Sequence, residues 1–112
     1  MSVTGLGIDL TVVSRFDGME ERLWRHFLSA EEARELAGVA PPQRPQFLAV
    51  RWACKEAVFK ATGCRDYTAL TLAHDPDGKP FIKDHPELLV SVSHDNGFVV
   101  VIIQRNEDLT HE

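Results

Sequence analysis

The longest uninterrupted helical pattern in the sequence runs from Gln46 to Thr62, and it contains neither glycine nor proline. Gly63 follows directly, and glycine is the usual residue just past a helix end. At about 100° per residue, the apolar side chains fall on two separate faces. The broad face comprises Phe47, Val50, Cys54, Ala57, Val58 and Ala61, and the second stripe comprises Leu48, Trp52 and Phe59.

A surface helix of a globular protein needs only one apolar face. We therefore expect this helix to be covered on both sides, with the second stripe meeting a partner subunit or a ligand. Glu56 and Lys60 lie beside that stripe, one helical turn apart. They form either a solvated ion pair of helical spacing or part of a partly covered site.

Size and composition limit the classes of protein to consider. A chain of 112 residues predicts a single domain over 1–112. The net charge of −5 argues against general nucleic-acid binding. Cys54 and Cys64 are too few for a disulfide framework and lack metal-site spacing, so we expect both to be reduced, in a cytoplasmic protein. The sequence shows neither a membrane-spanning apolar stretch nor a signal peptide pattern.

Residues 3–13 predict a strand, because apolar residues alternate with small or polar ones. Leu6, Ile8, Leu10 and Val12 share one face, whereas Asp9 shares the other with Gly5 and Gly7. Two interpretations remain open. The glycines mark a bend or tight packing, or they leave room beside the Asp9 carboxylate for a bulky anion and a metal.

The remaining patterns alternate between helix and strand. Residues 15–36 are mostly helical in pattern, and Ser29 followed by Glu32 resembles a capping box that opens a helix over 30–37. Residues 40–45 predict a loop, because they include three prolines. The sequence predicts an α+β domain with a mainly antiparallel sheet. Its later strands are expected at 67–74, 79–82, 88–94 and 98–104, with turns at 75–78 and 95–97 and a frayed polar tail over 105–112.

Asp9 and Glu56 are carboxylates from separate elements, and Lys60 lies one turn beyond Glu56. Two protein oxygens, with water and substrate phosphate, are a common way to hold Mg²⁺, and a nearby lysine suits a phosphate oxygen. The two carboxylates could instead act as a general acid and base, as in glycosidases, but the low aromatic content of 8% disfavours a sugar cleft. His94 at a strand end is either a structural hydrogen-bonding residue or, with nearby serines, a hydrogen-bond donor to a phosphate.

Four short motifs in a fixed order resemble one known family. They are Gly7-Ile8-Asp9, the block Trp52-Ala53-Cys54-Lys55-Glu56-Ala57-Val58-Phe59-Lys60, Gly78-Lys79-Pro80, and Ser91-Val92-Ser93-His94. The ordered set is similar to the 4′-phosphopantetheinyl transferases, most closely to the short holo-acyl-carrier-protein synthase type. The resemblance covers about residues 5–104, and the length fits the short type.

The resemblance implies a fold of that family, with the sheet packed on the long central helix, and a transferase activity. Such an enzyme moves the phosphopantetheine arm of coenzyme A onto a serine of an acyl carrier protein in fatty acid or polyketide biosynthesis, and releases adenosine 3′,5′-bisphosphate. By the match, Asp9 and Glu56 bind Mg²⁺, Glu56 also helps to deprotonate the serine, and Lys60 holds a coenzyme A phosphate.

The resemblance also suggests contacts and an assembly. Arg15 corresponds to a position that meets acidic residues of the carrier protein. Family members of this length are usually homotrimers with sites at subunit interfaces, which would give the second stripe its partner. The weaker candidates for contacts to the phosphates and nucleotide of coenzyme A are Arg51, Lys55, Gly63, Lys79, Pro80, Ser93 and His94.

The chain departs from the family pattern after the central helix. Residues 62–66 are shorter than the usual glycine-rich loop and contain one glycine, so cover over the nucleotide is expected to differ. Asp95 stands where a small hydroxyl residue is common, and Arg65 is positioned in sequence to offset its charge. The chain is therefore either a specialised member that serves a particular carrier domain, or a weakly active or non-catalytic trimeric module that binds coenzyme A or carrier protein.

Overall fold

The computed structural model describes residues 2–107. Within this range, no helix combines the length and the apolar composition that crossing a membrane requires. Single turns of 3₁₀ helix lie at Val13–Phe16, Pro41–Gln43 and Tyr67–Ala69. The main elements are β1 (Val3–Val12), α1 (Glu21–Trp24), α2 (Ala30–Ala37), α3 (Arg44–Thr62), β2 (Leu72–His74), β3 (Pro80–Ile82), β4 (Leu88–Asp95) and β5 (Phe98–Asn106).

The main sheet has three strands in the order β1-β5-β4, and both pairings are antiparallel. Strands β2 and β3 form a separate two-stranded antiparallel sheet. The predicted α+β class with mainly antiparallel pairing is confirmed. The turn between β4 and β5 has positive φ at Asn96 (52°) and Gly97 (82°), as a tight two-residue hairpin requires.

Helix α3 packs on the inner face of the sheet, against β1 and β5. The glycines of β1 permit this contact. A Cβ at Gly7 would lie 2.0 Å from the Ala57 carbonyl oxygen, and one at Gly5 would lie 2.1 Å from the Ala61 carbonyl oxygen. The tight-packing interpretation of these glycines is therefore correct. The alternative, that they leave room for an anion, is wrong, because the backbone of α3 fills that space.

The second stripe of α3 is covered in part within the same chain, and a partner subunit or ligand on its remaining surface stays a prediction. Leu48 is buried. The Trp52 ring packs edge-on against Phe27 at 5.3 Å and Tyr67 at 6.0 Å between centroids. Phe59 is half-buried, and the Arg65 guanidinium lies over its ring. Both faces of this helix are therefore used to build one subunit.

An exposed apolar surface lies on the other side of the sheet. Leu6 is 63% exposed and Leu10 is 65% exposed, although both lie in the middle of paired strand. The strand register places apolar residues of β5 beside them, since Leu10 pairs with Val100 and Ile8 with Ile102. We call this surface the outer sheet face; it comprises Leu6, Ile8, Leu10, Val12, Phe98, Val100 and Ile102.

Several predicted boundaries need correction. Residues 15–36 contain the end of a 3₁₀ turn, the short α1 and most of α2, although the Ser29–Glu32 capping box is present in both directions. The end of the expected 40–45 loop already belongs to α3, because Pro45 sits in its first turn, where the missing N–H has no cost. The expected 67–74 strand is a 3₁₀ turn followed by β2, and the predicted frayed tail begins too early, since β5 continues to Asn106. Residues 108–112 of that tail lie outside the described residues.

Candidate functional site

Lys60 joins the end of α3 to β1. Its ammonium donates to the Ile8 carbonyl oxygen at 2.9 Å and to Asp9 Oδ1 at 3.1 Å. The Asp9 side chain is 12% exposed and that of Lys60 is 49% exposed. The close approach of β1 to α3 thus places a largely covered carboxylate beside a lysine that still reaches solvent.

Glu56 is held by a residue beyond the end of the helix. The Tyr67 hydroxyl donates a hydrogen bond to Glu56 Oε2. Burial, followed by the Glu56 carboxylate, raises the pKa of the Tyr67 phenol, and the charge of Asp9 acts in the same direction. Both carboxylates therefore act on one phenol, and we call Asp9, Glu56, Lys60 and Tyr67 the carboxylate site.

A cavity of about 310 Å³ opens beside Glu56, and Phe59, Arg65 and Tyr67 complete its lining. The Arg65 guanidinium lies 4.6 Å from the Phe59 ring centroid, an arrangement that holds a cation next to the carboxylate. Sequence patterns did not identify Tyr67. The only signal was its being the single tyrosine of the chain, just after the shortened loop.

Lys55 does not have the role expected for it. Its side chain is fully buried, and its ammonium donates to Glu32 Oε1 and to the carbonyl oxygens of Phe27, Tyr67 and Leu70 at 2.7–2.8 Å. A buried ammonium whose protons are all directed at protein acceptors has none left for a phosphate. Lys55 is therefore a structural residue rather than a coenzyme A contact.

Three of the expected nucleotide contacts, Arg51, Pro80 and His94, line one groove of about 820 Å³. His74 lines the same groove and was not predicted. The Arg51 guanidinium is stacked 3.8 Å from the Phe47 ring centroid and lies 3.6 Å from a Glu35 carboxylate oxygen. We call this cavity the Arg51 groove.

The other expected contacts lie elsewhere. Lys79 is exposed and borders a neighbouring groove with Pro80. Ser93 and His94 are successive residues of β4, so they point to opposite faces of the sheet, and Ser93 faces the side of the outer sheet face. Gly63 adopts φ 81° and ends α3, with its N–H donated to the Phe59 carbonyl oxygen.

Arg15 follows β1 and is exposed. Its guanidinium lies 5.2 Å from the Trp52 ring centroid and 5.6 Å from that of Phe16. Because Trp52 also packs on Tyr67, Arg15 presents a positive charge one aromatic ring away from the carboxylate site.

The carboxylate site can take a hard metal ion, but not with protein ligands alone. Among residues 2–107, no cluster of three or more His, Cys, Asp or Glu could hold a metal. Asp9 and Glu56 provide two carboxylates, and each has one oxygen engaged by Lys60 or Tyr67. The chemistry of this set suits an ion such as Mg²⁺ that keeps water and substrate phosphate in its shell.

The carboxylate site and the Arg51 groove are separate surfaces of one chain. They share no lining residue. Arg51 and Glu56 are five residues apart on α3, which places them about 140° apart around the helix axis. A ligand that reaches both sets of residues must therefore lie across two copies of the chain or wrap around the helix.

Comparison with known proteins gives consistent results. A family model described as the 4′-phosphopantetheinyl transferase superfamily matches residues 5–103. The holo-[acyl-carrier-protein] synthase of Nitrosospira multiformis is 39% identical over 102 residues, covering 83% of this chain and 80% of that protein. The enzyme of the same name from Latilactobacillus sakei is 35% identical over 115 residues, covering 92% of this chain and 98% of that protein.

Solved structures resemble the whole fold. A holo-(acyl-carrier-protein) synthase from Bacillus anthracis, in complex with CoA (3′,5′-ADP), superposes with a TM-score of 0.83 at 26% identity, covering 95% of this chain and 98% of that one. The holo-[acyl-carrier-protein] synthase of Neisseria meningitidis gives a TM-score of 0.84 at 21% identity, covering 95% of this chain and all of that one, and shows the shared fold.

Proposed function

The chain belongs to the 4′-phosphopantetheinyl transferase superfamily and is an enzyme of the holo-acyl-carrier-protein synthase type, and we propose how its residues carry out the transfer. The phosphopantetheine arm of coenzyme A moves to a serine of an acyl carrier protein, with Mg²⁺ bound at Asp9 and Glu56. Adenosine 3′,5′-bisphosphate is the product released. The observation that carries the proposal is that Lys60 of α3 binds Asp9 of β1, while Glu56 of α3 accepts from Tyr67, a phenol on which the Asp9 charge also acts.

The donor set supports Mg²⁺. Asp9 Oδ1 accepts from Lys60 and Glu56 Oε2 accepts from Tyr67. Among residues 2–107, the second oxygen of each carboxylate accepts no hydrogen bond from the protein, so each has one oxygen to offer a metal. A Mg²⁺ ion bound there would neutralise charge that develops on the diphosphate of coenzyme A.

The charged side chains around the metal site have separate proposed roles. Lys60 donates two of its N–H groups to oxygen atoms of β1 and is half exposed, so its third N–H can reach a phosphate oxygen. Glu56 helps to deprotonate the carrier serine, directly or through a water molecule. Arg65, held over Phe59 at the mouth of the same cavity, adds a second cation for the diphosphate.

The Arg51 groove is the proposed binding site for the nucleotide end of coenzyme A. Arg51 and His94 line it as basic residues, and Pro80 gives it an apolar wall. Gly63, Lys79 and Ser93 lie outside it and remain weaker candidates. Because this groove and the carboxylate site lie on different sides of α3, we propose that one copy supplies the carboxylates and a neighbouring copy supplies the groove.

The outer sheet face supports such an assembly. It is a contiguous row of apolar side chains on two paired strands, and large exposed apolar patches usually mark interaction surfaces. We propose a homotrimer that buries this face. The proposed trimer contact is thus on the sheet.

Arg15 is the proposed contact for the carrier protein. It is exposed on a chain with net charge −5, and the Trp52 ring beneath it fixes its position next to the carboxylate site. A local positive charge there suits an acidic carrier protein. The free thiols of Cys54 and Cys64 agree with the expected cytoplasmic location, where thiols stay reduced.

One observation favours a second candidate function. The shortened loop after Gly63 brings the Tyr67 hydroxyl onto Glu56, which engages one oxygen of a proposed metal ligand. A trimeric module that binds coenzyme A or carrier protein without efficient transfer would also fit this arrangement.

The transfer itself distinguishes the two. Purified full-length protein is incubated with coenzyme A, Mg²⁺ and a panel of apo carrier proteins from fatty acid and polyketide pathways, and intact masses are measured. The enzyme predicts a gain of about 340 Da on one carrier at a single serine, lost in Glu56→Gln and retained in Glu31→Gln, an exposed control. Binding of coenzyme A by calorimetry without any mass gain would support the non-catalytic module.

A further inference from the structure

Tyr67 is held at three separate points, although it lies in a single 3₁₀ turn. Its carbonyl oxygen accepts from the Lys55 ammonium at 2.8 Å, its ring packs edge-on against Trp52, and its hydroxyl donates to Glu56 Oε2. Lys55 and Glu56 are adjacent in sequence, so consecutive residues of α3 bind the two ends of one tyrosine.

The point that holds the Tyr67 backbone is fully buried. The Lys55 ammonium also binds Glu32 at 2.8 Å and the Leu70 carbonyl oxygen at 2.7 Å, with no exposure to solvent. The Trp52 ring in turn packs edge-on against Phe27. The Tyr67 side chain has two torsions and is anchored by its backbone and its ring, whereas the Glu56 side chain has three torsions. The hydrogen bond therefore orders Glu56 on Tyr67 rather than the reverse.

The loop that departs from the family pattern creates this contact. Helix α3 ends at Gly63, which has a left-handed conformation, and the Cys64 N–H donates to the Thr62 hydroxyl oxygen at 3.0 Å. Only three residues separate Gly63 from Tyr67. The chain reverses within that distance and brings Tyr67 back beside Glu56, which lies eleven residues earlier.

We propose that Tyr67 is a positioning residue that fixes the Glu56 carboxylate through Oε2 and so leaves its other oxygen to bind the metal. This inference rests on the function proposed above. Partners that orient a metal ligand in this way typically change metal affinity by 10–100-fold when removed. The short loop of this chain thereby supplies a support for the metal ligand in place of longer cover over the nucleotide.

The test compares two variants that each lose one oxygen from the same turn. Tyr67→Phe removes the hydroxyl on Glu56, and Thr68→Val removes an exposed hydroxyl next to it. Free Mn²⁺ is measured by electron paramagnetic resonance in the presence of full-length protein and coenzyme A. The Mg²⁺ dependence of carrier modification is measured in parallel.

The inference predicts that Tyr67→Phe raises the Mn²⁺ dissociation constant, and the Mg²⁺ concentration for half-maximal transfer, by about tenfold. The rate at saturating Mg²⁺ stays within about twofold of wild type, and Thr68→Val changes neither quantity. A general structural role would instead lower the rate at every Mg²⁺ concentration. Unchanged Mn²⁺ binding in Tyr67→Phe overturns the inference, as does a wild-type protein that binds no Mn²⁺ with coenzyme A.

Failure of the proposed function gives a different result. A wild-type protein that modifies no carrier contradicts the transferase, whereas the Mn²⁺ comparison still decides the role of Tyr67. If Tyr67→Phe folds less well, the double variant Glu56→Gln/Tyr67→Phe resolves the question. The effects of Glu56→Gln and of Tyr67→Phe on Mn²⁺ affinity must then be non-additive in the double variant, and additive effects contradict the inference.

Discussion

The Lys55 ammonium lies 2.8 Å from a Glu32 carboxylate oxygen, and both side chains are fully buried. Glu32 also accepts from the Leu72 N–H at 2.9 Å and from the Ser29 N–H at 2.9 Å. Burial lowers the pKa of Lys55, and the Glu32 carboxylate opposes that shift. The pair joins α2, α3 and the segment before β2 directly behind the residues proposed to bind the metal.

Lys55→Met is predicted to destabilise the fold strongly. The variant leaves the Glu32 charge buried without its partner and leaves the carbonyl oxygens of Phe27 and Leu70 without a donor. Losing one member of a buried pair typically lowers the free energy of unfolding by about 3–5 kcal/mol. Urea unfolding followed by circular dichroism measures the change.

Lys83→Met is the matched control for that experiment. Lys83 forms an ion pair with Glu31 at the same 2.8 Å, but both side chains are about half exposed. Exposed ion pairs contribute little to stability, so this variant should unfold at the wild-type urea concentration. Equal stability of Lys55→Met and wild type would contradict the structural role assigned to Lys55.

Gly7→Ala tests the contact that brings Asp9 to α3. The added Cβ would lie 2.0 Å from the Ala57 carbonyl oxygen, so β1 must move away from the helix. Overpacking of this kind costs about 1–3 kcal/mol of stability, and transfer should fall as Asp9 shifts. In Gly38→Ala the nearest atom is 3.6 Å away, so no loss is expected. Thermal unfolding of both variants checks the difference, and an unaffected Gly7→Ala would show that β1 is not tightly packed.

Leu10→Glu is predicted to prevent assembly. Leu10 lies in the middle of the outer sheet face, and a charge there cannot be buried against another copy without a partner. Light scattering after gel filtration should give a trimer for wild type and a folded monomer for the variant, with transfer lost. Leu23→Glu, at an exposed leucine on α1, should remain trimeric and active. A monomeric wild-type protein would contradict the assembly.

The elements with strong local signals could be predicted from the sequence. Helix α3, its stop at Gly63, the Ser29–Glu32 capping box and the hairpin at Asn96-Gly97 all follow from residues close in sequence. The ordered motifs, two of which contain Asp9 and Glu56, likewise identified the family. These features depend on backbone preferences and spacing, which a single sequence records directly.

Features that depend on distant packing could not be predicted. Lys55 and Lys60 belong to one motif, yet only Lys55 is buried, because its acceptors come from residues 27, 32, 67 and 70. Strand β1 turns its glycine face inward and its apolar face outward, since only glycine allows the backbone of α3 so close. The partial cover of the second stripe likewise comes from residues distant in the sequence from Trp52 or following the helix, namely Phe27, Arg65 and Tyr67.

The central claim is that the carboxylates of one copy and the Arg51 groove of a neighbouring copy make one active site. Differently tagged Glu56→Gln and His94→Glu chains are co-expressed, mixed assemblies are purified, and the mass gain of the carrier protein is measured. Each variant alone is predicted to be inactive, because the first lacks a metal ligand and the second places a negative charge in the groove. Every trimer that contains both chains pairs an intact carboxylate site with an intact groove at one of its three interfaces, so about a third of the wild-type rate is predicted. Mixed assemblies that form normally but remain inactive would contradict the claim.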